Sequence, residues 1–357
     1  MNGISVSHEK NKRGALMNAK RLPWLICASL GLLLGLAGAA RAELRALSDS
    51  QLSDVTGQAF INLATDANAG INYTRLNVGA TVQTQLNMNK LQLGLYNRSG
   101  EAANTADIAI NNFALGTVNN KTGQINPFTI VDPYVEFAYN GNSLVGLRIG
   151  FNQAKGVLSG DIQTLTGNVP VHIKGSADAV YNNASGLQQT VLFLGGIYRS
   201  STLEADANLV DGSGNSDPVR GTMAGIKNGD GLTCTSGCVP LISDAALAIV
   251  RSQGCAILGI TTCFNLRQFQ SLPVGDLSQA GMAGAAKGFF ISLQSQDVQW
   301  RDLDTGAMVT ALKGAFMNMP KYRDASGNLV SPINIDFNQA FGGIPRQDTC
   351  VGMNKGC

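Results

Sequence analysis

From Ala59 to about Gly221 the chain alternates apolar with polar or small residues at a period of two. Leu86, Met88, Leu91, Leu93 and Leu95 mark one run, with room for a bulge at Lys90, and Ile108, Ile110, Phe113 and Leu115 mark another. Tyr134-Val-Glu-Phe-Ala-Tyr139 alternates, and so do Val145, Leu147, Ile149 and Phe151 against Gly146, Arg148 and Gly150. Val169, Val171 and Ile173 alternate against Pro170, His172 and Lys174, and Val191, Phe193, Gly195 and Ile197 offer one more strand. Side chains of an extended chain point alternately to opposite faces, so such runs, bounded by Gly, Asn and Asp, predict strands. Paired Asn residues at 111–112, 119–120 and 182–183 suit the bends, because Asn tolerates left-handed geometry. No repeat period emerges. The pattern predicts a mainly β protein, an extended β-sandwich or a solenoid-like sheet. An outer-membrane barrel is also built from alternating strands, but these segments are short and lack aromatic girdles.

The pattern changes after the loop segments Asp211 to Pro218 and Lys227 to Gly231. Ser243-Asp244 predicts the cap of a helix running through Ala245 to Ser252 and stopping at Gly254. Phe289, Ile291 and Leu293, then Val298 and Trp300, predict strands. Met308 to Met319 fits helix or strand, and Ile333, Ile335 and Phe337 alternate again. Three regions follow: a leader over 1–42, a β-rich body over 43–221, and a smaller α+β region over 222–357 that caps the body or returns strands to it. The body opens with a short helix, with Ser48 as its cap, Gln51 as capping-box partner and Gly57 as its stop.

The leader reads as a secretory signal peptide. Lys10 to Arg21 supply positive charge, Leu22 to Ala39 an apolar stretch, and Ala40-Arg41-Ala42 a small-x-small site, which places the cut between Ala42 and Glu43. Met17 would start a leader of more ordinary length, so Met1 and Met17 both stand as starts. A retained anchor is the rival reading, and the apolar stretch is short for a span of about 20 residues. Charge changes its meaning once the leader is set aside. The chain has 26 basic and 24 acidic residues, but 20 basic and 23 acidic beyond residue 42, a net of −3. No basic field remains to hold nucleic acid.

Cysteine usage agrees with export. Six of the seven cysteines lie beyond the leader, all from residue 234 onward, and proximity suggests Cys234–Cys238, Cys255–Cys263 and Cys350–Cys357, one of fifteen connectivities that six cysteines allow. An oxidising compartment favours disulfides over a thiolate metal site.

The chemistry is mostly negative. His172 is the single histidine beyond the leader, which excludes sites needing two, and it sits where a strand residue faces solvent. No Gly-x-Ser-x-Gly elbow is present, and Lys287 among its glycines lacks the phosphate-loop ending. Asp297, Asp302 and Asp304 around Trp300 are the acids a glycosidase would use; turn and strand-end roles are the competing reading. Asp211, Ser213, Asn215 and Asp217 place oxygens at alternate positions, as calcium loops do, although Ser216 replaces the usual Gly. An Asx-rich turn is the alternative there, and no other cofactor is expected.

Leu47-Ser-Asp-Ser-Gln-Leu-Ser-Asp-Val-Thr-Gly-Gln-Ala59, just after the leader, resembles the mature start of a group of exported Gram-negative proteins, some of them pilus-assembly proteins of the fil type. Asp132 to Phe137, Gly150-Phe151, Leu158 to Ile162, Leu165 to Asn168, Val298 to Asp302 and the Cys-terminated tail are similar to that group too. The resemblance implies no catalytic residues. The expectation is therefore an exported, non-enzymatic protein of the outer membrane or cell surface, acting in adhesion, pilus or envelope assembly. Its partners would be envelope proteins or other copies, reached through unsealed strand edges. The alternatives are a periplasmic or membrane-associated carrier of apolar ligands and a carboxylate-based glycan hydrolase.

Overall fold

The computed structural model describes residues 61–352 and Lys355. The leader, its cut between Ala42 and Glu43, the Ser48–Gly57 helix and Cys357 lie outside the described residues.

The chain is mainly β. It opens with β1 (Ile61–Asn68), β2 (Ile71–Val78), β3 (Thr81–Thr84), β4 (Leu86–Leu95) and β5 (Ala106–Leu115). Two long strands follow, β6 (Phe128–Asn140) and β7 (Ser143–Leu165), then β8 (Val171–Ser176). Two short helices, α1 (Asp178–Asn182) and α2 (Gly186–Leu194), lead to β9 (Thr202–Val210), β10 (Met223–Gly225) and β11 (Thr233–Ser236). Next come α3 (Ile242–Ile249), β12 (Cys263–Asn265), β13 (Ser271–Val274), β14 (Ala286–Lys287) and β15 (Phe290–Gln294). The hairpin β16 (Val298–Arg301) and β17 (Met308–Ala311), then β18 (Gly314–Asn318), β19 (Ile333–Ile335) and α4 (Phe337–Gly342), complete the set used below.

The larger sheet runs β1-β2-β6-β7-β15-β18, with β13, β14 and the β4–β5 pair also joined to it through β7. The second sheet runs β12-β10-β9-β8-β19. Pairing is antiparallel apart from β8 with β19 and Gly167–Asn168 with β18. A 23-residue strand organises the larger sheet: the first half of β7 pairs with β6 and β15, and its second half with β5 and β13. The change falls at Gly156, whose φ of 147° no bulky residue adopts and where a Cβ would lie 2.9 Å from Phe128 Cα. The main core lies between that second half and the second sheet, filled by Ile110, Leu158, Ile162, Ile173, Leu203 and Ile333. Strands from beyond residue 221 thus return to the body, one of the two arrangements open from the sequence.

Three local expectations change. The stretch holding Val191 and Phe193 is the helix α2, not a strand. Ser185 accepts the Gln188 N–H while the Gln188 side chain accepts the Ser185 N–H, a reciprocal cap that commits the following residues to helix. Helix α3 starts at Ile242 rather than from a Ser243-Asp244 cap, because the Ser243 hydroxyl instead donates to Val239 O at 2.8 Å. Phe337 leaves the Ile333–Ile335 alternation to begin α4, where Asp336 and Gln339 form a second reciprocal cap.

The alternation in β6 and β7 is real but inverted. The covered face carries Tyr134, Glu136, Gly146, Arg148 and Gly150, whereas Leu147 and Ile149 face outward. Glycine explains the inversion. A Cβ on Gly146 would meet the Trp300 ring at 3.0 Å, and one on Gly150 would meet Tyr134 Oη at 2.3 Å, so both glycines are floors for aromatic rings. The β16–β17 hairpin brings Trp300 down onto this face with Val298 and Ala311. Arg148 is buried there. It is paired to Glu136, donates to Arg301 O at 2.9 Å, and lies 5.0–5.2 Å from the rings of Phe290, Trp300 and Tyr134. A buried cation needs this full set of partners, since Coulomb attraction alone does not repay its desolvation.

Candidate interaction surface

Covering one face of the sheet with the hairpin leaves the other apolar and open. Leu63, Leu76, Val135, Ile149 and Ile291 stand directly opposite one another on β1, β2, β6, β7 and β15. At the usual strand spacing this aliphatic row is about 19 Å long. Leu63 is 65% and Ile149 50% exposed, whereas Ile291 packs against the main core. The next row, Thr65, Thr74, Phe137, Leu147 and Leu293, is also uncharged. Contiguous apolar surface of this kind marks an interaction site more often than scattered exposed residues do.

The row ends on an edge. Among the described residues β1 pairs with β2 and with no other strand. Charge on β1 is confined to the opposite face, where Asp66 accepts from Arg301 Nε at 2.6 Å and Asn68 donates to Gln299 at 3.1 Å. The Arg301 guanidinium and the Ala67 N–H hold the Asp66 carboxyl below the usual carboxylate range. The hairpin therefore pins β1 in extended form from one side and leaves its apolar side free. The alternation marks β6, β7 and β15 of this surface, whereas β1 and β2 fall within the alternating region without a run of their own; orientation is signalled by Gly146 and Gly150 flanking Arg148.

The sequence-selected residues fall elsewhere. Cys234–Cys238 and Cys255–Cys263 are disulfides. Cys350 is also disulfide-bonded, and its expected partner Cys357 lies outside the described residues. The calcium candidate is a hydrogen-bonded turn. Asp211 Oδ1 accepts from Ser213 N and Asn215 N at 2.8 and 2.9 Å, and Asn215 Oδ1 accepts from Asn228 at 3.0 Å. The Asp211 and Asn215 oxygens are thus taken by N–H donors, and those on Asp211 hold its carboxyl below the usual range, while burial raises Asp217. Among the described residues no three or more His, Cys, Asp or Glu side chains are placed to hold a metal.

His172 faces an open polar hollow of about 300 Å³ with Glu204, Asp206 and Arg251. Its acids are already paired: His172 Nδ1 lies 3.1 Å from Asp206 and Lys174 3.2 Å from Glu204 across the strands, and Lys321 lies 2.6 Å from Asp206. No serine or cysteine lines this hollow. Trp300 is wholly buried and so offers no platform for a sugar. Asp302 Oδ1 accepts from Asp304 N and Thr305 N, Asp304 from Lys287, and Asp297 from Lys313 N, so all three acids serve turns and ion pairs. Lys287 cradles no phosphate loop. The glycine-rich segment is instead held by Lys155, which donates to Gln279 O, Gly281 O and Ala283 O at 2.7, 3.0 and 2.6 Å.

No helix among the described residues is long and apolar enough to cross a membrane. A family of unknown function, DUF6160, matches residues 25–124, a stretch that takes in β1 to β5. No curated protein and no solved structure matches the chain.

Proposed function

We propose that this chain is an exported, non-enzymatic structural protein of the outer membrane or cell surface, assembling with envelope partners or other copies through β1 and its apolar face. The observation that carries the reading is the aliphatic row running to an open edge strand. An incoming strand would add main-chain hydrogen bonds along β1 and extend the apolar face at once. The leader and the resemblance of residues 47–59 to exported pilus-assembly proteins support the location, and disulfides suit an oxidising compartment.

The other two readings find less support in the geometry. Two apolar hollows in the core of the described residues measure about 40 and 30 Å³, far below the 300 Å³ or more of a ligand pocket, so a carrier would have to open its core or use the shallow, open hollow of about 330 Å³ beside Leu144, Leu147 and Leu293. The acids of the hydrolase reading are committed to turns around a buried tryptophan.

Sedimentation velocity across a concentration series tests the proposal, with Leu63→Lys on the apolar side of β1 as the variant. The parent chain is expected to associate, and the variant to remain monomeric with the same circular dichroism. A parent chain that stays monomeric to about 100 μM, and that fractionates with the cytosol, would overturn it.

A further inference from the structure

A second apolar surface stands apart from β1. The C-terminal end of α2 abuts α3 and the loop before it: Val239 N donates to Gly196 O at 2.9 Å, and a Cβ on Gly195 would touch Ala246 at 3.3 Å. Leu192 and Leu247 root the two helices in the core. Their outer sides carry Leu187, Phe193, Leu194, Leu241, Ile242 and Ile249 in the open. Leu187 is 77% exposed, and Leu241 and Ile249 are each 82% exposed. Side chains that free of neighbours protrude; they do not line a hollow.

Charge is arranged to match. Residues 179–198 contain no charged side chain, and residues 231–250 contain one, Asp244. Each stretch is bounded by an acid before it and an arginine after it: Asp178 and Arg199 for the first, Asp230 and Arg251 for the second. Arg199 donates to Asp178 at 2.6 Å, and Arg251 Nε donates to Ala248 O at 3.0 Å, so the bounding charges are tied down at the ends of the stretches. Tyr198, edge-on to Phe193 at 5.7 Å, sits beside that boundary. The loop leading into α3 is held as well. The Cys234–Cys238 disulfide precedes Val239-Pro240-Leu241, and Leu241 adopts a φ of 65° that bulky residues rarely take.

We propose that this α2–α3 tip inserts into the interfacial layer of a lipid bilayer, anchoring the protein to a membrane face without spanning it. A fluid apolar medium accepts separate protruding side chains, whereas a protein partner would need a cavity for each. The near absence of charge on the tip matches the hydrocarbon boundary, and an aromatic ring with arginines at the rim suits the headgroup level. The bounding charges balance, two acids against two arginines, and exposed Asp244 leaves the tip at −1, so it takes a neutral lipid surface in preference to an acidic one. The proposal shares the envelope location of the previous reading but stands on a separate surface, so either can fail alone.

Flotation tests it. The protein, purified as the cell produces it, is mixed with vesicles of phosphatidylcholine and phosphatidylethanolamine and floated at low salt and at about 0.5 M salt. Binding at both is expected, and Leu194→Asp with Leu241→Asp should lower the bound fraction about tenfold or more. Phe193→Trp supplies a readout that does not depend on those variants folding. Its emission, as the difference from the parent chain, should shift to the blue with vesicles and be quenched by brominated lipid. Absence of flotation, flotation confined to acidic lipid at low salt, or a Phe193→Trp signal indifferent to vesicles would each overturn the proposal. So would a blue shift that grows with protein concentration in the absence of lipid, which would identify a second copy as the occupant.

Discussion

Arg148 decides which way the sheet faces. Its guanidinium is enclosed by Glu136 and three aromatic rings, and everything two residues away along β6, β7 and β15 is turned inward with it. Tyr134 shows what that burial means for ionisation. Its hydroxyl is buried with no hydrogen-bond partner among the described residues, and desolvation pushes its pKa up to about 12. Between about pH 10 and 12 the unfolded chain loses this proton while the folded chain keeps it. Stability must therefore fall as pH rises through that window, by roughly 2–3 kcal/mol for this group. Burial raises Tyr73, Tyr96, Tyr181 and Tyr322 as well, so the informative quantity is a difference. Tyr134→Phe should change stability by no more than about 1 kcal/mol near neutrality, because no hydrogen bond is lost, and should flatten the alkaline decline. Urea midpoints of parent and variant from pH 8 to 11.5 check this; parallel curves would contradict it. The alternation around Arg148 was legible in the sequence. Its sense was not, because hydropathy counts glycine as neither face while two glycines here hold the rings that bury the arginine.

At the scale of elements, β1 depends on the hairpin above it. Its remaining polar tether is Asn68 to Gln299, so the Asp66–Arg301 pair is the charged half of the clamp. The Asp66 carboxyl is held below its ordinary 3.8 by Arg301 first and the Ala67 N–H second. A carboxylate whose folded pKa is depressed contributes above the unfolded value, and that contribution is lost as pH falls through the folded one. Acid should accordingly loosen β1 before it loosens β6. Amide-exchange protection over residues 61–68 should drop between about pH 5 and 3 while that of β6 holds, and Asp66→Asn should show the lower protection already at pH 5. Uniform loss along both strands would contradict the clamp. Element type was legible where side-chain period and turn residues agreed, as in β4 to β8. It failed at α2, where the apolar spacing of Val191 and Phe193 fits a strand but the reciprocal Ser185–Gln188 cap settles the backbone as helix. Capping is a local signal that periodicity does not weigh.

For the whole molecule, the boundary suggested by composition at residue 221 separates stretches of chain but not hydrogen-bonded sheets. The main sheet alternates segments from both sides of it: β7 receives β6 and β5 from before, and β13, β14 and β15 from after. Return of distant strands leaves little trace in a single sequence, since it depends on which edges remain open once the nearer strands have paired. The consequence is energetic. A fragment ending at Gly221 keeps β1 to β9 but loses Phe290, Val298, Trp300, Ala311 and Phe316, which are five of the nine buried residues over the Arg148 face. Arg148 and Glu136 would then be solvated, and one side of β7 would be left without its neighbours. Such a fragment should lack a cooperative unfolding transition, because non-local pairing carries the closure of the sheet. Adding residues 222–357 as a separate chain should restore a single transition, with Trp300 fluorescence returning to that of the intact protein. A fragment over 43–221 that unfolds cooperatively by itself would show instead that the returning strands decorate a body already complete, and the dependence of the open apolar face on the hairpin opposite would fall with it.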